Sequence, residues 1–291
     1  MQSSAPIGIA GAGRLAQALG RLLRDAGESV VCLAGRDPAR TRLAAAFAGA
    51  APVSLAELPR RASRFLIAVS DQAIGEVAET LAAGPPPDAV ALHTSGAAGP
   101  EALEPLRRAG AACGTLHPLQ TVSSPEQGVA GLPGAFFAVS GDPGAACWAE
   151  RVVALLGGAA LRVPAAARPL YHAAAVMASN YIVALIDAAE GMLAEASGAE
   201  REAARRALAP LARAAVANAL ERGPAAALTG PVERGDAATV ARHLDALAGS
   251  PQRAWLYRAA GLQALDLARR KGLADGPARE LDALLWKGTS R

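Results

Sequence analysis

The sequence predicts a doubly wound α/β domain followed by an all-helical domain. Two observations predict it. Short apolar runs alternate with stretches of helical spacing from Ile7 to Val163, and after Pro164 only helical periodicity remains. The 291 residues suffice for two ordinary domains. We expect the first over residues 1–165 and the second over 166–291, with the boundary near Val163–Arg168.

The elements follow in order. Strands are expected at Ile7–Ala10, Val30–Ala34, Phe65–Val69, Ala89–His93, Ala111–Leu116, Ala135–Val139 and Ala160–Val163. Helices between them are expected at Arg14–Ala26, Pro38–Ala48, Ile74–Ala83, Pro100–Ala109 and Pro143–Leu156. Asp37 as N-cap and Pro38 in the first turn mark the second helix. Short strands spaced by helices of about ten residues imply a parallel sheet. From Pro169 onward an Ala- and Leu-rich bundle of about five helices is expected. Its breaks fall at Gly198, Gly223-Pro224, Gly230-Pro231, Gly249 to Pro251, and Gly272 to Pro277.

Composition narrows the function. Apolar residues make up 52% and charged residues 19%, enough for a sizeable core and against wholesale disorder. A net charge of +3 without a basic block excludes a nucleic-acid argument. The only lysines are Lys271 and Lys287, which nearly rules out a catalytic lysine. Cys32, Cys113 and Cys147 are odd in number and far apart, so we read buried apolar residues in a reducing, cytoplasmic setting, with neither disulfides nor a metal site. No signal peptide is expected, and the apolar stretch Ala173 to Ala189 is a poor membrane span because Ser179, Asn180 and Asp187 break it.

The first strand runs into Gly11-x-Gly13-x-x-Ala16 and then straight into a helix. This arrangement makes a dinucleotide pyrophosphate site. Gly11 permits the tight turn, Gly13 lets the backbone approach the phosphates, and Ala16 lets the helix pack closely on the strand. Ala12, Arg14 and Leu15 complete the loop. The second strand ends in Ala34 and Gly35, with Arg36 next. Asp37 has the competing task of capping a helix, while Arg36 and Arg40 could clamp a 2′-phosphate, so NADP is favoured over NAD. Ser70 and Asp71 form a turn of the kind that lies beside the nicotinamide ribose, and capping of the helix containing Ile74 explains Asp71 equally well.

Two successive strands each carry a histidine and hydroxyls to the same edge: His93, Thr94 and Ser95 on one, His117 on the other. A histidine suits the proton exchange that accompanies hydride transfer. His117 is the first candidate, because a long polar loop to Pro133 follows it. His172, Ser179 and Asn180 fall at i, i+7 and i+8 and would share one face of an otherwise apolar helix. Arg234, in Thr229-Gly230-Pro231-Val232-Glu233-Arg234-Gly235-Asp236, could pair with a substrate carboxylate.

Together, Ile7 to Arg14, His93-Thr94-Ser95-Gly96, His117-Pro118-Leu119-Gln120-Thr121, Tyr171 to Tyr181 and Thr229 to Asp236 resemble the Rossmann-like proteins that carry a DUF2520 helical domain. The resemblance implies an NADP-type Rossmann domain and a helical domain of the 6-phosphogluconate-dehydrogenase C-terminal kind, which in relatives often supports a dimer. It implies an oxidoreductase and supplies no substrate. The His117-Pro118 turn is similar to that of prephenate dehydrogenases, where the histidine contacts the substrate hydroxyl, and Ser95 would match their serine. Beta-hydroxyacid dehydrogenases and ketopantoate reductases use a lysine this chain lacks, so only Asn180 could carry over from them. Pyrroline-5-carboxylate reductases share the glycine start but not the Thr229–Asp236 motif.

The expected activity is therefore NADP-dependent hydride transfer on a small, carboxylate-bearing substrate held between the domains. His117, Ser95, His172 and Asn180 would act on it, with His93, Thr94 and Arg234 binding it. The chain would be a homodimer with neither a nucleic-acid nor a membrane partner. The alternative is a non-catalytic NADP(H) sensor or scaffold.

Overall fold

A computed structural model describes residues 5–287. It contains eight strands: β1 Ile7–Ala10, β2 Val30–Ala34, β3 Ala51–Val53, β4 Arg64–Ile67, β5 Val90–His93, β6 Ala112–Pro118, β7 Phe136–Gly141 and β8 Ala159–Arg162. Helices α1 Arg14–Asp25, α2 Pro38–Ala48, α3 Leu58–Arg61, α4 Ile74–Leu81, α5 Glu104–Arg108, α6 Pro125–Gly131, α7 Pro143–Leu155 and α8 Arg168–Ala178 accompany them. Then come α9 Asn180–Ser197, α10 Arg201–Arg222, α11 Pro224–Ala227, α12 Ala237–Ala246, α13 Pro251–Arg270 and α14 Asp275–Trp286. The chain forms two compact units, Met1–Asn180 and Tyr181–Arg291.

The first unit is one sheet of order β3-β2-β1-β4-β5-β6-β7-β8. Strand order reverses at β1 and β4, and such a switch point opens a crevice beyond the strand carboxyl ends. Every residue of β1 is buried, as befits a strand covered on both faces. One apolar layer packs α1, α2 and α7 on the sheet through Leu19, Leu23, Ala45 and Trp148. The other packs α3, α4 and α5 through Leu58, Ile74, Val77 and Leu106.

Several elements depart from the sequence expectation. The β6–β7 pair is antiparallel, whereas the remaining pairs are parallel. The connection after β6 brings the chain back on the same side, so β7 runs against its neighbour. The expected long loop to Pro133 contains α6, started by Ser124, whose hydroxyl accepts from the Gln127 N–H at 3.1 Å. Two glycines in Pro125–Gly131 hide its periodicity. Edge strand β3 is only three residues long, with Pro52 at its centre. The expected helix Pro100–Ala109 splits into a 3₁₀ turn, Pro100–Leu103, and α5, because Pro105 has no N–H to continue one ladder. Cys32 and Cys113 are buried, but Cys147 is exposed on the outer side of α7.

In the second unit, Val240, Leu244, Leu265, Leu281 and Leu285 form a core among α12, α13 and α14. Helices α9 and α10 leave apolar side chains uncovered: Val183 is 67% exposed and Leu220 82%. Residues 165–197 are long and apolar enough to cross a membrane by length and composition alone. That stretch is two helices broken at Ser179, and on α9 Asp187 and Glu190 both pair with Arg201, at 2.7 and 3.0 Å.

Candidate functional site

The glycine turn sits at the end of β1. The Gly11 N–H donates to the Ala34 carbonyl at 2.7 Å, tying the turn to β2. Gly11 has φ +132°, and a Cβ there would lie 2.2 Å from the Ala68 carbonyl oxygen of the neighbouring strand end. Both facts require glycine. A Cβ on Gly13 would meet nothing within 4 Å. The backbone at Gly13 therefore faces open space at the start of α1. The Gln17 N–H donates to the Gly13 carbonyl at 3.1 Å, and the earlier N–H groups of the turn lack intrahelical acceptors. An uncapped helix end over open space, with no acid in its first turn, fits a phosphate group.

At the tip of β2, a Cβ on Gly35 would meet Ala12 Cβ at 2.9 Å, so the two loops abut. The Asp37 carboxylate accepts from the Ala39 and Arg40 N–H groups, at 2.8 and 3.3 Å, and is committed to capping α2. Arg36 and Arg40 are exposed and form no ion pair among the described residues. Ser70 and Asp71 are exposed just beyond β4, beside the Ala68 carbonyl that approaches Gly11. Arg14 is the first residue of α1, directly after the glycine turn. Its guanidinium donates to the Ser123 carbonyl at 3.0 Å and staples α1 to the loop after β6.

That loop walls a cavity of about 440 Å³, lined by His117 to Val122 on one side and by His172, Ala175, Val176, Ala178, Ser179 and Asn180 on the other. The structure thus brings His117, His172, Ser179 and Asn180 together, though not on one helix as expected. Helix α8 ends at Ala178, and Ser179 leaves helical geometry with φ −129° and ψ −75°. Its hydroxyl donates to the Ala175 carbonyl at 2.6 Å and stands 2.9 Å from Asn180 Oδ1. A serine bonded back onto its own helix bends it, which no glycine or proline here signals.

The neighbouring loop after β5 is self-contained. His93 is fully buried. Its Nδ1 accepts from the Ser95 N–H at 3.2 Å, so Nε2 carries the proton and donates to the Gly99 carbonyl at 2.9 Å. Burial holds its pKa below the usual histidine range. The Ser95 hydroxyl, 5% exposed as a residue, accepts from the Ala97 and Ala98 N–H groups at 3.2 and 3.0 Å. Thr94 is buried, and its N–H donates to the Ile67 carbonyl. These three side chains shape the loop and do not line the cavity. Arg234 belongs to the second unit, where it is exposed and forms no ion pair among the described residues.

Three residues that the sequence reading left out of the site complete it. Tyr171 Oη lies 2.6 Å from His117 Nδ1, with the rings edge to face. A Cβ on Gly96 would meet His172 Nδ1 at 2.5 Å and His117 Nε2 at 2.7 Å, so only glycine leaves room for both rings. Arg168, 1% exposed, donates through Nε to the Ala98 carbonyl at 2.7 Å and through Nη2 to the Ser95 carbonyl at 3.3 Å. Among the described residues, its Nη1 and the Nδ1 of His172 are buried without partners. Arginine in the first turn of a helix opposes the helix dipole, an oddity visible in the sequence. Burial, then His172 and Arg168, push the His117 pKa down to about 4. Burial pushes Tyr171 up to about 12. Among the described residues, no cluster of three His, Cys, Asp or Glu side chains is placed to hold a metal.

Comparison with known proteins identifies the fold. Residues 1–118 match the Rossmann-like domain family, and residues 135–264 match DUF2520, a domain of unknown function. No curated protein gives a significant match. Among solved structures, the fold is shared with the putative NADP oxidoreductase BF3122 from Bacteroides fragilis, at TM-score 0.74 and 23% identity over 90% of this chain and 98% of that one. A Coxiella burnetii pyrroline-5-carboxylate reductase aligns at TM-score 0.59 and 14% identity over 91% and 98% of the two chains. An Aspergillus terreus reductive aminase in complex with NADPH and ethyl-5-oxohexanoate aligns at TM-score 0.61 and 18% identity over 98% and 94%. The chain belongs to the proteins that join a Rossmann-like domain to a DUF2520 domain.

Proposed function

We propose that this chain is an NADP-dependent oxidoreductase that transfers hydride to or from a small, carboxylate-bearing substrate. One observation carries the reading. The open glycine turn at the sheet's switch point is stapled by Arg14 to the loop that walls a cavity holding two histidines. The free N–H groups of the first turn of α1 would meet the pyrophosphate. Arg36 and Arg40, unpaired at the tip of β2, would take the 2′-phosphate, since the nearest carboxylate is committed to a helix cap.

The bound nicotinamide would supply or accept the hydride. The chain's own residues would position the substrate, with His117 and His172 facing it and Asn180 at the rim. No lysine occurs before Lys271, so the polar groups that would meet the substrate are the His117 and His172 imidazoles with Ser179 and Asn180. The likeness to the Bacteroides protein, named as an NADP oxidoreductase, and to the Aspergillus enzyme, solved with NADPH, supports the reading.

Fluorescence titration with NADPH and NADH tests it. We expect NADPH to bind at least tenfold more tightly, and Arg36→Ala with Arg40→Ala to erase the difference. Equal affinities in the wild type would overturn the NADP assignment. Tight NADPH binding without turnover of any hydroxy acid, keto acid or imine would instead indicate a sensor.

We also propose that a second copy of the chain covers the apolar surface of α9 and α10. Leu211 is 68% exposed and Leu220 82%, on a helix with a single buried residue, Ala204. Sedimentation should give a dimer that Leu220→Glu dissociates. A wild-type monomer that binds lipid vesicles would defeat this.

A further inference from the structure

We propose that Tyr171 fixes the proton of His117 on Nε2, so that His117 meets its ligand as a neutral hydrogen-bond donor and not as a base. The proposal deepens the reading above by assigning the ligand atom's chemistry: an acceptor, such as a carbonyl or carboxylate oxygen or an imine nitrogen.

Among the described residues, the 2.6 Å contact is the only hydrogen bond that either side chain makes. A phenol is a stronger acid than the N–H of a neutral imidazole, and an imidazole nitrogen is a better acceptor than a phenol oxygen. The bond therefore runs from the Tyr171 O–H to Nδ1. The hydrogen bond made by one ring nitrogen decides the state of the other, so the single proton of the neutral ring sits on Nε2.

The surroundings keep both partners in these states. Burial holds the Tyr171 phenol protonated. The groups acting on His117 are His172 and Arg168 of α8, His93 of β5 and Asp71 beyond β4. The first three oppose a second proton, and Asp71 alone favours one. Arg168 is a buried cation clamped by the carbonyls of Ser95 and Ala98, with no carboxylate bonded to it among the described residues. It stands three residues before Tyr171 on the same helix face.

His117 and His172 both line the cavity, and their Nε2 and Nδ1 atoms converge over Gly96, His172 Nδ1 having no partner among the described residues. A donor there, backed by Arg168, suits an oxygen gathering negative charge during reduction. It does not suit removal of a proton from an alcohol. Tyr171 and Arg168 are positioning residues, acting through His117.

The test is long-range ¹H–¹⁵N correlation on ¹⁵N-histidine-labelled protein at neutral pH. The His117 signals are identified by their loss in His117→Gln. We expect a pyrrole-type Nε2 and a pyridine-type Nδ1 displaced by hydrogen bonding. In Tyr171→Phe, both shifts should move toward tautomer-averaged values while NADPH affinity stays within twofold. A pyrrole-type Nδ1 in the wild type, or identical shifts in Tyr171→Phe, would overturn the proposal. The wild-type spectrum alone decides if the variant does not fold. Failure of NADPH to bind would sink the oxidoreductase reading without touching the tautomer.

Discussion

Folding should become markedly less favourable in mild acid because of His117. Its pKa lies at about 4 in the folded protein, against 6.5 for the free side chain. Between those values the unfolded chain binds a proton that the folded chain refuses. The contribution is fully present above about pH 6.5 and is lost as pH falls toward 4. The whole span corresponds to about 3 kcal/mol, and about 2 kcal/mol of it disappears between pH 7 and pH 5. His93, also held neutral by burial, adds in the same direction. Comparing the wild type with His117→Gln isolates the single group, because His93 and the fixed cost of substitution drop out of each protein's pH dependence. Urea unfolding at the two pH values is the assay. The wild type should lose about 2 kcal/mol more than the variant. Parallel pH dependences would refute the reasoning, since His117 would then titrate alike in both states.

Other substitutions separate folding from ligand binding. Gly13→Ala should leave the melting temperature unchanged, because its Cβ meets nothing within 4 Å, yet weaken NADPH at least tenfold in a fluorescence titration. Gly11→Ala should lower both stability and binding, since strain at φ +132° adds to a clash with the Ala68 carbonyl. Gly96→Ala should cost about 1–3 kcal/mol of stability by crowding two imidazoles, and shift the His172 and His117 signals together. Asp37→Ala should destabilise the protein by about 1 kcal/mol in chemical unfolding through loss of the α2 cap.

Much of the first unit was readable because its signals are local. Ile7–Ala10, Val30–Ala34 and Pro38–Ala48 fall where apolar runs, Asp37 and Pro38 place them. The Gly11 and Gly13 environments follow from a motif whose mechanism is steric. The short α6 and β3 were missed because glycine and proline mask periodicity in segments of only seven and three residues. The break at Ser179 depends on a hydroxyl choosing a carbonyl of its own helix, and composition does not announce that choice. The roles of Tyr171, Gly96 and Arg168 arise only when β5, β6 and α8 converge. Tyr171 and His117 are 54 residues apart in sequence. The same convergence explains why His93 and Ser95, equally polar on paper, are spent on their own loop.

The crowding around the second strand's tip leaves coenzyme choice a narrow evolutionary route. A carboxylate able to hold a ribose hydroxyl cannot arise at position 35, where a first side-chain carbon would strike Thr41 Oγ1 at 2.7 Å. The acid one residue beyond Arg36 cannot be diverted without unfastening a helix. Under the proposed NADP reading, a change to the unphosphorylated coenzyme would have to pass through Arg36 itself, losing the hold on one carrier before gaining the other.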